Sequence, residues 1–196
     1  MSTEATPGRE ALRETLAAID AKNYQHAGEA ALRGVATPLR LAGESLADLL
    51  ERFARPGEDA AEWRDRVLTS IDFAVPNVLD AVLVLYANVL FHRLLTPNEK
   101  PLFDLDVPSN DDVLRFAKEE IATRGAEGAA EHYATAAANE SGKLVESIVK
   151  VAELWSSCAD DEKNLAGFYE SAEETAELML STAKTLRMAA GVFRTC

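Results

Sequence analysis

The sequence predicts an all-α fold, an antiparallel helical bundle of about six to seven helices, and three observations carry that expectation. Apolar residues recur every three or four positions, as in Leu39, Ala42, Leu46, Leu49, Leu50 and Phe53, which lines them along one stripe of a 3.6-residue helix. No segment alternates apolar and polar residues between turn signals, and neither Asn-Gly nor Asp-Gly occurs, so hairpins lack their strongest short-range signal. The periodic segments are also of helix length, and two of the longest stand at the C-terminal end.

The first helix is announced by Thr6-Pro7, an N-cap hydroxyl followed by a proline where no amide hydrogen is missed. It carries Leu12, Leu16 and Ile19 and is expected to run to about Lys22, with residues 1–6 disordered. A second segment covers Tyr24 to Ala36, and Thr37-Pro38 repeats the start signal for a third, which Pro56-Gly57 stops. Glu58, Asp59 and Glu62 put negative charge at the start of a fourth, with Trp63, Val67 and Ile71 on its apolar side. Val75-Pro76 is expected to end or kink that helix, because proline lacks the amide the ladder needs.

The stretch 77–95, NVLDAVLVLYANVLFHRLL, is the most apolar of the chain, and a helix apolar on most sides is normally surrounded by others. It is therefore the expected central helix. Its length, together with Asp80, Asn88, His92 and Arg93, argues against a membrane span, which needs about 20 mostly uncharged residues. Three prolines, Pro97, Pro101 and Pro108, make 96–110 an ordered crossover rather than a helix. Ser109 to Asp112 opens the next helix with a capping-box-like arrangement, and Gly125 and Gly128 mark its end. Glu127 to Cys158 forms one long helix despite Gly142. Asp160, Asp161 and Glu162 begin the last, where Leu165, Phe168, Ala172, Ala176, Met179, Ala183, Leu186, Ala190 and Phe193 keep the helical spacing.

Length and composition agree with one domain over 1–196. The chain has 196 residues and 47% hydrophobic content, enough to bury a core without staples. Its two cysteines, Cys158 and Cys196, do not make a disulfide framework and suit a reducing, cytoplasmic compartment. The N-terminus has neither the basic start nor the apolar run of an export signal. The formal charge is −13, a field that repels phosphate backbones and anionic headgroups, so nucleic acid and membrane are disfavoured as partners. Residues 101–196 hold 18 acids against 9 bases, so the second half carries more of that field.

Catalytic motifs are missing from the sequence. The histidines, His26, His92 and His132, are isolated, with no Glu-x-x-His or His-x-x-x-His to place two metal ligands on one helix face. No serine sits in a nucleophile elbow, and the acids after Cys158 would raise rather than lower its thiol pKa. No phosphate-binding glycine loop occurs, and no cofactor is expected.

Two features remain. Asn77, Asp80, Asn88 and His92 fall in one sector of the apolar helix, a polar stripe that either faces solvent or internal partners, meets another protein, or lines a pocket. Glu170, Glu173, Glu174 and Glu177 place a dense acidic patch on the last helix, suited to a basic protein surface. The expected function is a non-catalytic protein-interaction module, of adaptor, immunity or chaperone type. The alternative is a small-molecule-binding or enzymatic bundle with its pocket on the stripe. Small residues at Ala172, Ala176, Ala183 and Ala190 also permit self-association through the C-terminal helix.

Overall fold

The computed structural model describes residues 6–54, 59–96, 107–158 and 164–196. The expected disorder before Thr6, the Pro56-Gly57 stop, most of the proline-rich crossover and the acidic start at Asp160 to Glu162 lie outside the described residues.

Seven helices are present among them: α1 (Pro7–Asp20), α2 (Tyr24–Arg33), α3 (Ala36–Ala54), α4 (Ala60–Leu95), α5 (Asn110–Arg124), α6 (Ala126–Ser157) and α7 (Asn164–Thr195). Local chemistry sets their ends. Thr6 caps α1 by accepting from the Arg9 amide, Asp59 caps α4 through the Ala61 and Glu62 amides, and Ser109 caps α5 through that of Asp112. Thr6 is thus an ordered part of the fold, at the edge of the stretch expected to be disordered. At the α1–α2 turn the Asn23 amide donates to the Ala18 carbonyl and the Lys22 amide to that of Ile19, both at 2.9 Å. This is a Schellman ending, and it places Lys22 at φ 56°, where glycine is usual.

Several boundaries differ from expectation: α2 ends at Arg33 and α3 begins at Ala36, so Thr37-Pro38 lies within the first turn of α3 and not at its cap. Pro76 neither ends nor divides α4, which continues for 36 residues. The carbonyl deprived of its helical donor is that of Asp72, four residues earlier, and Asp72 is exposed, so water can take the place of the missing amide. Gly125, at φ 75°, closes α5 and serves as the N-cap position of α6, while Gly128 lies inside α6.

The helices form a ring of four with two attachments. α3 packs on α4, α4 on α7, α7 on α6, and α6 on α3; α1 and α2 lie over α4, and α5 lies against α7 and α6. Named contacts give the directions. Ser70 meets Asp48 and Trp63 meets Arg52 across α3 and α4, while Arg194 meets Asp72 and Arg93 meets Glu173 across α4 and α7, so both pairs are antiparallel. Ser147 meets Thr175 and Ala126 meets Cys196 across α6 and α7, which makes that pair antiparallel too. Leu46, Leu49, Ile71, Leu85, Leu144, Phe168, Met179 and Leu186 fill the ring and are fully buried. Fully burying a leucine-sized side chain contributes roughly 1.5–3 kcal/mol, so these positions dominate stability.

The central apolar helix is therefore longer than 77–95 and carries an amphipathic first half. At its full length it passes the length and composition test for a membrane span, but half of the apolar stretch is buried inside the bundle, as for a core helix. Ala172, Ala176, Ala183 and Ala190 are buried as well, because α7 spends its small face on close approach to its own neighbours.

Candidate functional site

The polar stripe of α4 meets three different helices. Asp80 faces the start of α1: both carboxylate oxygens accept from the Gly8 amide, at 3.0 and 3.1 Å, and one also accepts from the Thr6 hydroxyl. A carboxylate at a helix N-terminus satisfies orphan donors and complements the positive end of the dipole. The approach is close enough that a Cβ on Gly8 would collide with the Asp80 backbone carbonyl. Two turns further on, Asn88 is fully buried, and its Nδ2 donates to the Ala31 carbonyl of α2 at 2.8 Å and to Val84 at 2.9 Å. Trp155 of α6 donates from Nε1 to the neighbouring Leu32 carbonyl at 3.0 Å. Two of the last carbonyls of α2 thus receive side-chain donors from α4 and α6, Leu32 in addition to the Val35 amide. Trp63 does the same for the Arg52 carbonyl of α3, at 3.0 Å.

His92 belongs to a separate setting at the C-terminal end of α4. Its ring stacks on Tyr169 of α7, with centroids 4.4 Å apart and planes 12° from parallel. Burial pushes the His92 pKa down; Glu173 pulls it back, Arg93 adds to the lowering and Glu170 opposes it, the net direction being downward. The Tyr169 phenol is pushed up, first by burial and then by Cys158. The Cys158 thiol is itself raised by burial, so it is less nucleophilic at neutral pH than an unperturbed thiol. Asn77, one turn before Asp80, buries its side-chain nitrogen without an acceptor among the described residues.

The four stripe residues are therefore not gathered around one cavity: Asp80 holds α1, Asn88 holds α2, and His92 lies on α7. Asp80, Asn88 and His92 form a line of contacts to neighbouring helices. A groove of about 440 Å³ occurs instead between α5 and α7, over Pro108, Phe116 and Met188, with Arg115, Glu119 and Lys184 on its walls. The chain matches no protein-family model, no curated protein and no solved structure. Among the described residues no group of three or more His, Cys, Asp or Glu side chains is placed to hold a metal ion. The histidines have different neighbours: His26 pairs with Glu14, His92 stacks on Tyr169, and His132 lies against Tyr133.

The acidic patch of α7 divides in two. Glu170, Glu174 and Glu177 are exposed on successive turns, whereas Glu173 is half-buried and pairs with the nearly buried guanidinium of Arg93. Glu173 thus joins α7 to α4 and is not free to meet a partner. Sequence reasoning missed Arg93, Trp155 and Tyr169. The available signal was chemical type: a buried indole or guanidinium needs an acceptor, so each of these side chains marks a long-range contact wherever it falls on an apolar face.

Proposed function

We propose that this chain is a non-catalytic protein-interaction module that presents the outer face of α7 to a basic partner surface. The observation that carries the reading is the run of exposed carboxylates at Glu170, Glu174 and Glu177, spaced along one rigid helix. A one-sign stripe of this kind steers an oppositely charged partner and fixes its register more than it adds raw affinity. The net charge of −13 extends the steering field and disfavours nucleic acid and anionic lipid. Support also comes from α4, where Asp80 and Asn88 are committed to helix contacts and so are poor candidates for acid, base or ligand. A reducing, cytoplasmic setting suits the two free cysteines.

The test uses a lysine-rich peptide of about twenty residues as the probe, followed by fluorescence anisotropy across a salt series. The triple variant Glu170→Gln, Glu174→Gln, Glu177→Gln is expected to weaken binding about tenfold or more at low salt. A control triple at Glu10, Glu51 and Glu146, exposed acids on three other helices, is expected to change it little. Equal losses from both triples would mean that overall charge alone binds the peptide, and the reading would fall.

A further inference from the structure

We propose that α1 and α2 form a cover that opens and closes over α4 as one unit, hinged at the Gly34–Val35 link, with Asp80 as the catch at its free end and Asn88 and Trp155 holding the hinge end. The first observation is what the hairpin buries. α1 buries Gly8, Ala11, Thr15 and Ala18, and α2 buries Ala27, Gly28, Ala30 and Ala31. Hydrophobic stabilisation follows the apolar area removed from water, and side chains this small remove little of it. Apart from the partly buried Ile19 and Leu32, the layer puts only small side chains against the core, in contrast to α7, which inserts Phe168, Met179, Leu186 and Phe193.

The second observation is that the hairpin is tied to itself. Glu14 of α1 pairs with Arg33 and with His26 of α2, and the Schellman turn at Lys22 fixes the angle between the two helices. The third is where the catches act. Asp80 grips the first turn of α1, the free end of the hairpin, while Asn88 and Trp155 grip the last turn of α2, beside the Gly34–Val35 hinge. Directional bonds at the ends of a thinly packed layer give an opening that is all or none for the layer and far easier than global unfolding. The face uncovered belongs to the most apolar helix of the chain and includes Val84 and Phe91, which contact the hairpin at Gly34 and Gly28.

Hydrogen exchange followed by mass spectrometry on the full chain tests this. In the unmodified protein, peptides within 7–33 are expected to exchange together and at least about tenfold faster than those of 168–193. Asp80→Ala removes the catch on α1 and is expected to accelerate both α1 and α2 by about tenfold or more, with 168–193 unchanged and more binding of an apolar dye. Trp155→Phe, a milder change acting only on the hinge end of α2, is expected to accelerate α1 as well. Three results would overturn the proposal: α1 and α2 as protected as α7 in the unmodified protein, either variant loosening only the helix it touches, or all helices loosening equally.

Discussion

Two glycines inside long helices offer a controlled test of the packing. Gly142 lies in the middle of α6, and a Cβ built there meets no atom within 4 Å. Gly191 lies near the end of α7, and its Cβ would come within 2.5 Å of Val113 Cγ1 and 3.2 Å of the Val113 carbonyl oxygen. Replacing either glycine with alanine gains the same intrinsic helix preference, about 0.8–1.0 kcal/mol. At Gly142 nothing opposes that gain, so Gly142→Ala should stabilise by about 1 kcal/mol and raise Tm by about 2–4 °C for a chain of this size. At Gly191 the new methyl pushes a β-branched side chain and a backbone carbonyl, neither of which can swing away. Overpacking of that kind costs roughly 1–3 kcal/mol, so Gly191→Ala should be net destabilising by up to about 2 kcal/mol as α5 is wedged from α7. Urea denaturation of the two variants beside the parent reads both signs, provided the m-value is unchanged. A stabilising Gly191→Ala would refute the described seating of α5 on α7. A destabilising Gly142→Ala would refute the open side of α6.

Three further outcomes are expected. Asn88→Ala leaves the buried Ala31 carbonyl without its cross-helix donor and should cost about 1–3 kcal/mol by urea midpoint; a neutral result would mean that α2 does not depend on that bond. Because His92 is held below its ordinary value of 6.5, the unfolded chain binds more protons than the native one between the two values. Stability should therefore rise with pH across that window and fall on acidification, and His92→Gln should flatten the slope; an unchanged slope would assign it to other groups. Alkylation at neutral pH, read by intact mass and peptide mapping, should modify exposed Cys196 before Cys158, whose thiol is half-buried and raised. The reverse order would contradict that burial.

The helices were legible because they rest on local rules. The Leu39 to Phe53 stripe, the Thr6, Asp59 and Ser109 caps and the periodic α7 all depend on residues within a few positions of one another. Pro76 does not end the helix, because the cost of a mid-helix proline depends on how the abandoned carbonyl, here that of the exposed Asp72, faces. Facing is a tertiary property, absent from the local pattern. The stripe on α4 was visible as polarity on an apolar helix, but its meaning lay in Gly8, Ala31 and Tyr169, on three other helices. The acidic patch shows the same limit: nothing near Glu173 distinguishes it from Glu174, and the difference is made by Arg93, 80 positions away.

The bond from Trp155 to Leu32 spans 123 positions of the chain. At about 5–20 residues per second, a ribosome that has finished α2 takes roughly 6–25 s more to deliver the indole that caps it. In the second half of that interval α4 is complete while α7, which covers another of its sides, is not. The nascent chain thus carries its most apolar helix partly uncovered, with α3 and the thin alanine-lined hairpin as shelter. The first task of α1 and α2 is set in time as well as in space: with α3 they shield α4 from other apolar surfaces until the C-terminal helices arrive.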